Sequence, residues 1–125
     1  MNKKRILVVD DEPGITLSLK LNLEATQLFE VRTESESVHV LKTAHEFQPD
    51  LILLDVMMPD PYGCRVAARL HADPELKDTP VVFLTALAHN DDTGGHPVTA
   101  GARVYLAKPV DITELVHCIE EHLRQ

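Results

Sequence analysis

A chain of 125 residues, 44% of them apolar, has the length of one ordinary domain and buries enough surface to fold without staples. Its net charge is −8, with no basic block beyond Lys3-Lys4-Arg5, which argues against nucleic acid as a partner, since that needs a clustered positive face. The N-terminal apolar run is too short for a signal peptide or a bilayer span, and Cys64 and Cys118 are far apart with no CxxC spacing. A cytoplasmic location, off the membrane and with free thiols, is therefore expected.

Short apolar, β-branched runs at 5–9, 29–33, 51–54, 80–84 and 103–106 alternate with helix-length segments. This order predicts a single α/β domain over 1–125, a parallel sheet with helices on both faces. Ile6–Val9 and Leu51–Leu54 are apolar throughout, as central strands are, whereas Phe29-Glu30-Val31-Arg32 alternates and belongs at an edge. Pro13 suits the first turn of the first helix. There the apolar residues run Ile15, Leu17, Leu19, Leu21, Leu23, a period of two that alone would read as a strand. Pro13 and the Leu, Lys, Asn and Glu side chains, none of them β-branched, favour helix instead. Ile15, Leu19 and Leu23 then share the core face, and Leu17 and Leu21 point to solvent.

Ser35 is expected to cap the second helix, and Pro49 follows its end. Pro59, Pro61 and Gly63 mark a loop before the third helix, which Pro74 ends. Between the fourth and fifth strands, Gly94-Gly95-His96-Pro97 shortens or breaks the fourth helix of the pattern, leaving at most a turn from Pro97 to Gly101. The last helix opens at Asp111 or Thr113 and aligns Ile112, Leu115, Val116, Ile119 and Leu123.

The chemistry gathers at strand ends. Asp10 and Asp11 follow the first strand, Asp55 the third, Thr85 ends the fourth, and Lys108-Pro109 follow the fifth. Carboxyl ends of neighbouring parallel strands share one rim. Like charges held close disfavour one another's ionised form, so three acids there retain a proton or recruit a cation. Carboxylate oxygens suit Mg²⁺ (or Mn²⁺), Lys108 suits a phosphoryl oxygen, and the Thr85 hydroxyl suits another. No glycine-rich loop follows the first strand, so dinucleotide and P-loop readings fail. What remains is an aspartate nucleophile toward phosphorus. Taken singly, each residue also has a plain reading: helix N-terminal acids, a strand-end hydroxyl, a surface lysine. The seven histidines show no ligand spacing and read as surface residues. Cys64, at the start of the third helix, reads as a buried thiol.

Five pieces in order carry a resemblance: Val8-Val9-Asp10-Asp11-Glu12-Pro13; Pro49-Asp50-Leu51-Ile52-Leu53-Leu54-Asp55-Val56-Met57-Met58-Pro59; Leu84-Thr85-Ala86; Gly101-Ala102; and Tyr105-Leu106-Ala107-Lys108-Pro109. Over essentially its whole length the chain resembles the receiver domain of bacterial two-component response regulators, the CheY-like family. The resemblance implies a doubly wound, flavodoxin-like sheet of five parallel strands in the order 2-1-3-4-5. It implies Asp55 as phosphoacceptor, with Mg²⁺ held by Asp10, Asp11, Asp55 and the backbone carbonyl of Met57. Thr85 and Lys108 grip the phosphoryl group, Tyr105 follows Thr85 as the switch aromatic, and the bond before Pro109 is cis.

The implied function is a phosphorylation-dependent switch rather than an enzyme. A histidine kinase or histidine phosphotransfer protein loads Asp55, and output is by protein–protein contact, with homodimerisation left open. The chain is expected to be a stand-alone or an excised receiver. Two other readings are an Mg²⁺-dependent phosphohydrolase with an aspartyl nucleophile, and an unphosphorylated interaction module. Three departures from the family pattern stand out. Pro61-Tyr62 occupies the loop after Asp55, Met57 and Leu87 leave apolar side chains flanking the phosphorylation site, and the fourth helix is broken. With no acid or amide to orient water, slow self-dephosphorylation is expected.

Overall fold

The computed structural model describes residues 3–56, 63–85, 98–100, 103–107 and 110–123. In chain order the elements are β1 (Lys4–Val9), α1 (Pro13–Ala25), β2 (Phe29–Glu34), a 3₁₀ turn (Ser37–His39) running into α2 (Val40–Phe47), β3 (Leu51–Asp55), α3 (Gly63–Ala72), β4 (Val81–Thr85), β5 (Val98–Ala100), β6 (Arg103–Ala107) and α4 (Ile112–Leu123). Among the described residues the sheet has six strands in the order β2-β1-β3-β4-β6-β5. β2, β1, β3, β4 and β6 run parallel to their neighbours, and β5 is antiparallel to β6.

Side-chain alternation along the two central strands divides the interior into two layers. Ile6, Val8, Leu51 and Leu53 face a cluster completed by Leu19 and Leu23 of α1 and Leu115, Cys118 and Ile119 of α4. Leu7, Val9, Ile52 and Leu54 face the opposite way, against Val40, Ala44 and Phe47 of α2 and Val66, Ala67 and Leu70 of α3. Both faces of β1 and β3 are thus covered, which explains why they are apolar at every described core position. Each such Leu or Ile contributes roughly 1.5–3 kcal/mol on burial.

In α1 the core face takes precedence over the period of two. Leu19 and Leu23 are buried, whereas Leu17 and Leu21 are 56% and 58% exposed. The free edge of β2 is covered from the same helix. Lys20 Nζ donates to the Val31 carbonyl at 3.1 Å, and the Val31 N–H donates to Glu24 Oε2 at 3.3 Å. One residue's outward backbone donor and acceptor are thereby satisfied at a sheet edge.

Three expectations change. Ser35 does not cap α2: the chain stays extended through Glu36 (φ −119°, ψ 121°) and enters the helix by the 3₁₀ turn. Glu34 Oε2 instead accepts the Glu36 N–H at 3.1 Å. The five-stranded, all-parallel sheet gains a sixth, antiparallel strand at its edge. Within the turn expected from Pro97 to Gly101, residues 98–100 form that strand, with Val98 opposite Tyr105 and Ala100 opposite Arg103. The β-branched Val98 and Thr99 favour extended backbone, and β6 supplies their pairing partners. The expected break at Gly94-Gly95-His96-Pro97 lies outside the described residues.

Two boundaries match the expected signals. α2 stops at Gln48, whose φ of 53° is left-handed, immediately before Pro49. α4 is capped by Asp111, whose Oδ1 accepts the Thr113 and Glu114 N–H groups at 2.9 and 3.1 Å.

Candidate functional site

β1 ends at Val9 and α1 begins at Pro13, so Asp10-Asp11-Glu12 forms the whole connection. Glu12 is extended (φ −96°, ψ 108°) and acts as the helix N-cap residue. Its carbonyl accepts the Ile15 and Thr16 N–H groups at 3.0 and 3.2 Å. Asp10 Oδ1 accepts the Glu12 N–H at 3.0 Å, which fixes that carboxylate where the strand turns over into the helix. Pro13, in the first turn of the helix, brings no N–H that would need a partner.

Parallel pairing brings Asp55 alongside. Val9 is opposite Leu54, so Asp10 and Asp55 are the next residues on adjacent strands. Asp10 is 0% and Asp55 3% exposed, and Asp11 lies at the surface. One carboxylate oxygen from each of the three lies within 4.8 Å of the other two. Around an octahedral Mg²⁺ with bonds of about 2.1 Å, ligand oxygens sit roughly 3–4.2 Å apart. This all-oxygen donor set therefore fits a single Mg²⁺ or Mn²⁺ with little adjustment, and leaves other ligand positions for water or substrate.

Thr85 completes the described part of the rim. Asp55 is opposite Leu84, so Thr85 ends the adjacent strand one residue further on, and it is 6% exposed. Thr85 is in turn opposite Ala107, the last residue of β6. Tyr105 lies in β6 opposite Phe83, but its side chain is outside the described residues, as are Met57, Leu87, Lys108 and Pro109. Cys64 falls at the start of α3, its side chain likewise undescribed, and Cys118 is a free, buried thiol.

Two features escaped the sequence reading. Glu34, Glu36 and His39 bring ligand atoms within 4.8 Å of one another at the end of β2. His45 bridges Asp73 and Glu75. The first follows from the extended Glu34–Glu36 backbone, and the second joins residues about thirty positions apart, which local spacing cannot reveal. A cleft of about 880 Å³ opens at the opposite rim, beside Lys4, Arg5, Glu30 and Asp50. It shares no residue with the acid cluster. Beside it the backbone N–H of Arg5 donates to Asp50 Oδ2 at 2.8 Å, and Arg5 Nε approaches Glu30 at 4.0 Å.

The chain matches the response regulator receiver domain model over residues 6–120. It is 36% identical over 121 residues to the DNA-binding dual master transcriptional regulator RpaA of Synechocystis, covering 97% of this chain and 49% of that protein. It thus spans about half the length of RpaA, and likewise of the mycobacterial transcriptional regulatory proteins PrrA. The polar-differentiation response regulator DivK of Brucella ovis is 32% identical over 123 residues, with 98% of both chains covered. Among solved structures, a putative response regulator from Chloroflexus aurantiacus superimposes with a TM-score of 0.82 at 28% identity, over 99% of this chain and 100% of that one. No helix among the described residues is long and apolar enough to cross a membrane. With motifs, strand order and matches in agreement, the chain belongs to the response regulator receiver domain family.

Proposed function

We propose that this protein is a signalling switch that accepts a phosphoryl group on Asp55 from a histidine kinase or a histidine phosphotransfer protein. The observation that carries the reading is the meeting of Asp10, Asp11 and Asp55 oxygens within 4.8 Å at the carboxyl ends of β1 and β3, in a chain of this family. An Asp55 oxygen attacks phosphorus in line, the P–N bond of the donor phosphohistidine breaks, and the electron pair leaves with the imidazole. The product is an acyl phosphate. Asp10, Asp11 and Asp55 would hold the divalent ion, with the Met57 carbonyl completing the protein ligands. A bound Mg²⁺ offsets the negative charge that otherwise repels a phosphoryl group.

In this reading Thr85 donates its hydroxyl to a phosphoryl oxygen, and Lys108 supplies a compensating charge there. Tyr105 then responds to the position of Thr85, which couples the phosphorylation state to the β4–β6 side of the sheet. Output is by protein–protein contact from that side, in the cytoplasm, and the chain does not turn over a substrate.

The test is direct. Incubated with Mg²⁺ and a small acyl phosphate, the protein gains one phosphoryl group that is labile to hydroxylamine and maps to Asp55. The Asp55→Asn variant and a chelator-treated sample gain none. Labelling at another residue, or sustained multiple turnover of a phosphate ester, refutes the reading. So does a folded protein that takes up no phosphoryl group under these conditions.

A further inference from the structure

α2 and the segment after α3 are joined by a side chain that the phosphoryl site does not use. One flank of α2 packs Ala44 and Phe47 into the core with Leu70 and Leu76. His45 projects from the more exposed flank. Its Nε2 lies 2.7 Å from Asp73 Oδ2 and its Nδ1 2.8 Å from Glu75 Oε2. A neutral imidazole has one N–H, so it satisfies one carboxylate and turns a lone pair toward the other. The imidazolium alone donates to both. The two carboxylates are presented by a turn of defined shape. Asp73 Oδ1 accepts the Glu75 N–H at 2.9 Å. The Asp73 carbonyl accepts the Leu76 and Lys77 N–H groups at 3.1 and 2.8 Å.

We propose that His45, Asp73 and Glu75 form a pH-sensitive clip that ties the end of α2 to the 73–77 turn as imidazolium and releases it on deprotonation. The hydrogen bond to Asp73, then that to Glu75, holds the His45 pKa above its ordinary 6.5. Asp73 and Glu75, both on the turn, are the charged groups that bear on it. The Glu75 backbone N–H, and after it His45, holds Asp73 below its ordinary 3.8.

The signs give a window. The histidine's contribution is complete below 6.5 and is lost as pH rises through its raised pKa. The aspartate's contribution is complete above 3.8 and is lost as pH falls through its lowered pKa. The clip is closed between these limits and opens at either end.

The test follows the His45 ring by NMR from mildly acidic to alkaline pH, in the folded chain and in the same chain unfolded by urea. The folded midpoint is expected above the unfolded one, and Asp73→Asn and Glu75→Gln should each lower it. Amide-exchange protection of Leu76 and Lys77, taken relative to the unfolded chain, should fall several-fold through the same midpoint. In His45→Gln it should stay flat. A folded midpoint at or below the unfolded one overturns the clip, as does wild-type protection that ignores pH while His45 titrates.

Discussion

Replacing Asp10 with Asn tests the electrostatics of the rim without disturbing its shape. The amide oxygen still accepts the Glu12 N–H that Asp10 Oδ1 accepts at 3.0 Å. One unit charge is removed from a cluster whose oxygens lie within 4.8 Å of one another. At that separation two unit charges repel by about 1 kcal/mol in water and about 3 kcal/mol at an effective dielectric constant near 20. Burial of Asp10 and Asp55 favours the higher figure, and the other interactions that both residues make offset part of it. Asp10→Asn should therefore stabilise the metal-free protein by about 1–2 kcal/mol. Mg²⁺ at about a hundred times its dissociation constant should add about 2.7 kcal/mol to the wild type and much less to the variant. The order of stabilities then inverts.

Urea unfolding in EDTA and in Mg²⁺ reads both effects. With a slope of about 2 kcal/mol per molar urea, the EDTA midpoint of the variant lies about 0.5–1 M above that of the wild type. A variant less stable than wild type in EDTA, or equally stabilised by Mg²⁺, would show that the three carboxylates do not act as one cation site.

Other predictions follow from packing and capping. Leu23→Ala, in a fully buried position, should cost about 3–4 kcal/mol, whereas Leu21→Ala, 58% exposed, should stay within about 0.5 kcal/mol of wild type; equal losses in urea unfolding would contradict the assigned face of α1. Asp111→Ala removes the acceptor for two N–H groups at the start of α4 and should cost about 1 kcal/mol, with Asp111→Asn recovering most of it. Burial, and after it the nearby charge of Glu121, pushes the Cys118 thiol up to about 11 from an ordinary 9.0. In a Cys64→Ser background its alkylation near pH 8 should therefore be about a hundred times slower than that of a free thiol, and a rate equal to that of the urea-unfolded chain would refute the burial.

The rim was legible because each of its acids sits directly after an apolar run. The run fixes a strand end, and parallel pairing does the rest: Val9 beside Leu54 is enough to bring Asp10 to Asp55. The exposed Leu17 and Leu21 were legible for a different reason. Leucines at every second residue cannot all be buried on a helix, and Pro13 together with Leu, Lys, Asn and Glu, none of them β-branched, decides for helix.

The entrance to α2 was not legible, because the chain stays extended through Glu36 and a 3₁₀ turn precedes the helix, which leaves Ser35 too far upstream to cap it. β5 is not legible in the sequence because Gly94-Gly95-His96-Pro97 signals only a helix break. The pairing of Val98–Ala100 with β6 is a tertiary contact that local propensity does not report. The His45 bridge to Asp73 and Glu75 was hidden by the same kind of separation.

The proposed switch requires one divalent ion sharing the oxygens of Asp10, Asp11 and Asp55. A crystal of the wild-type protein grown with Mn²⁺, with data collected for anomalous scattering, locates the ion without reference to any activity. The expected result is a single strong peak about 2.1–2.2 Å from an oxygen of each of these three carboxylates. No peak at that rim in well-ordered crystals, or a peak only beside Glu34, Glu36 and His39, would contradict it.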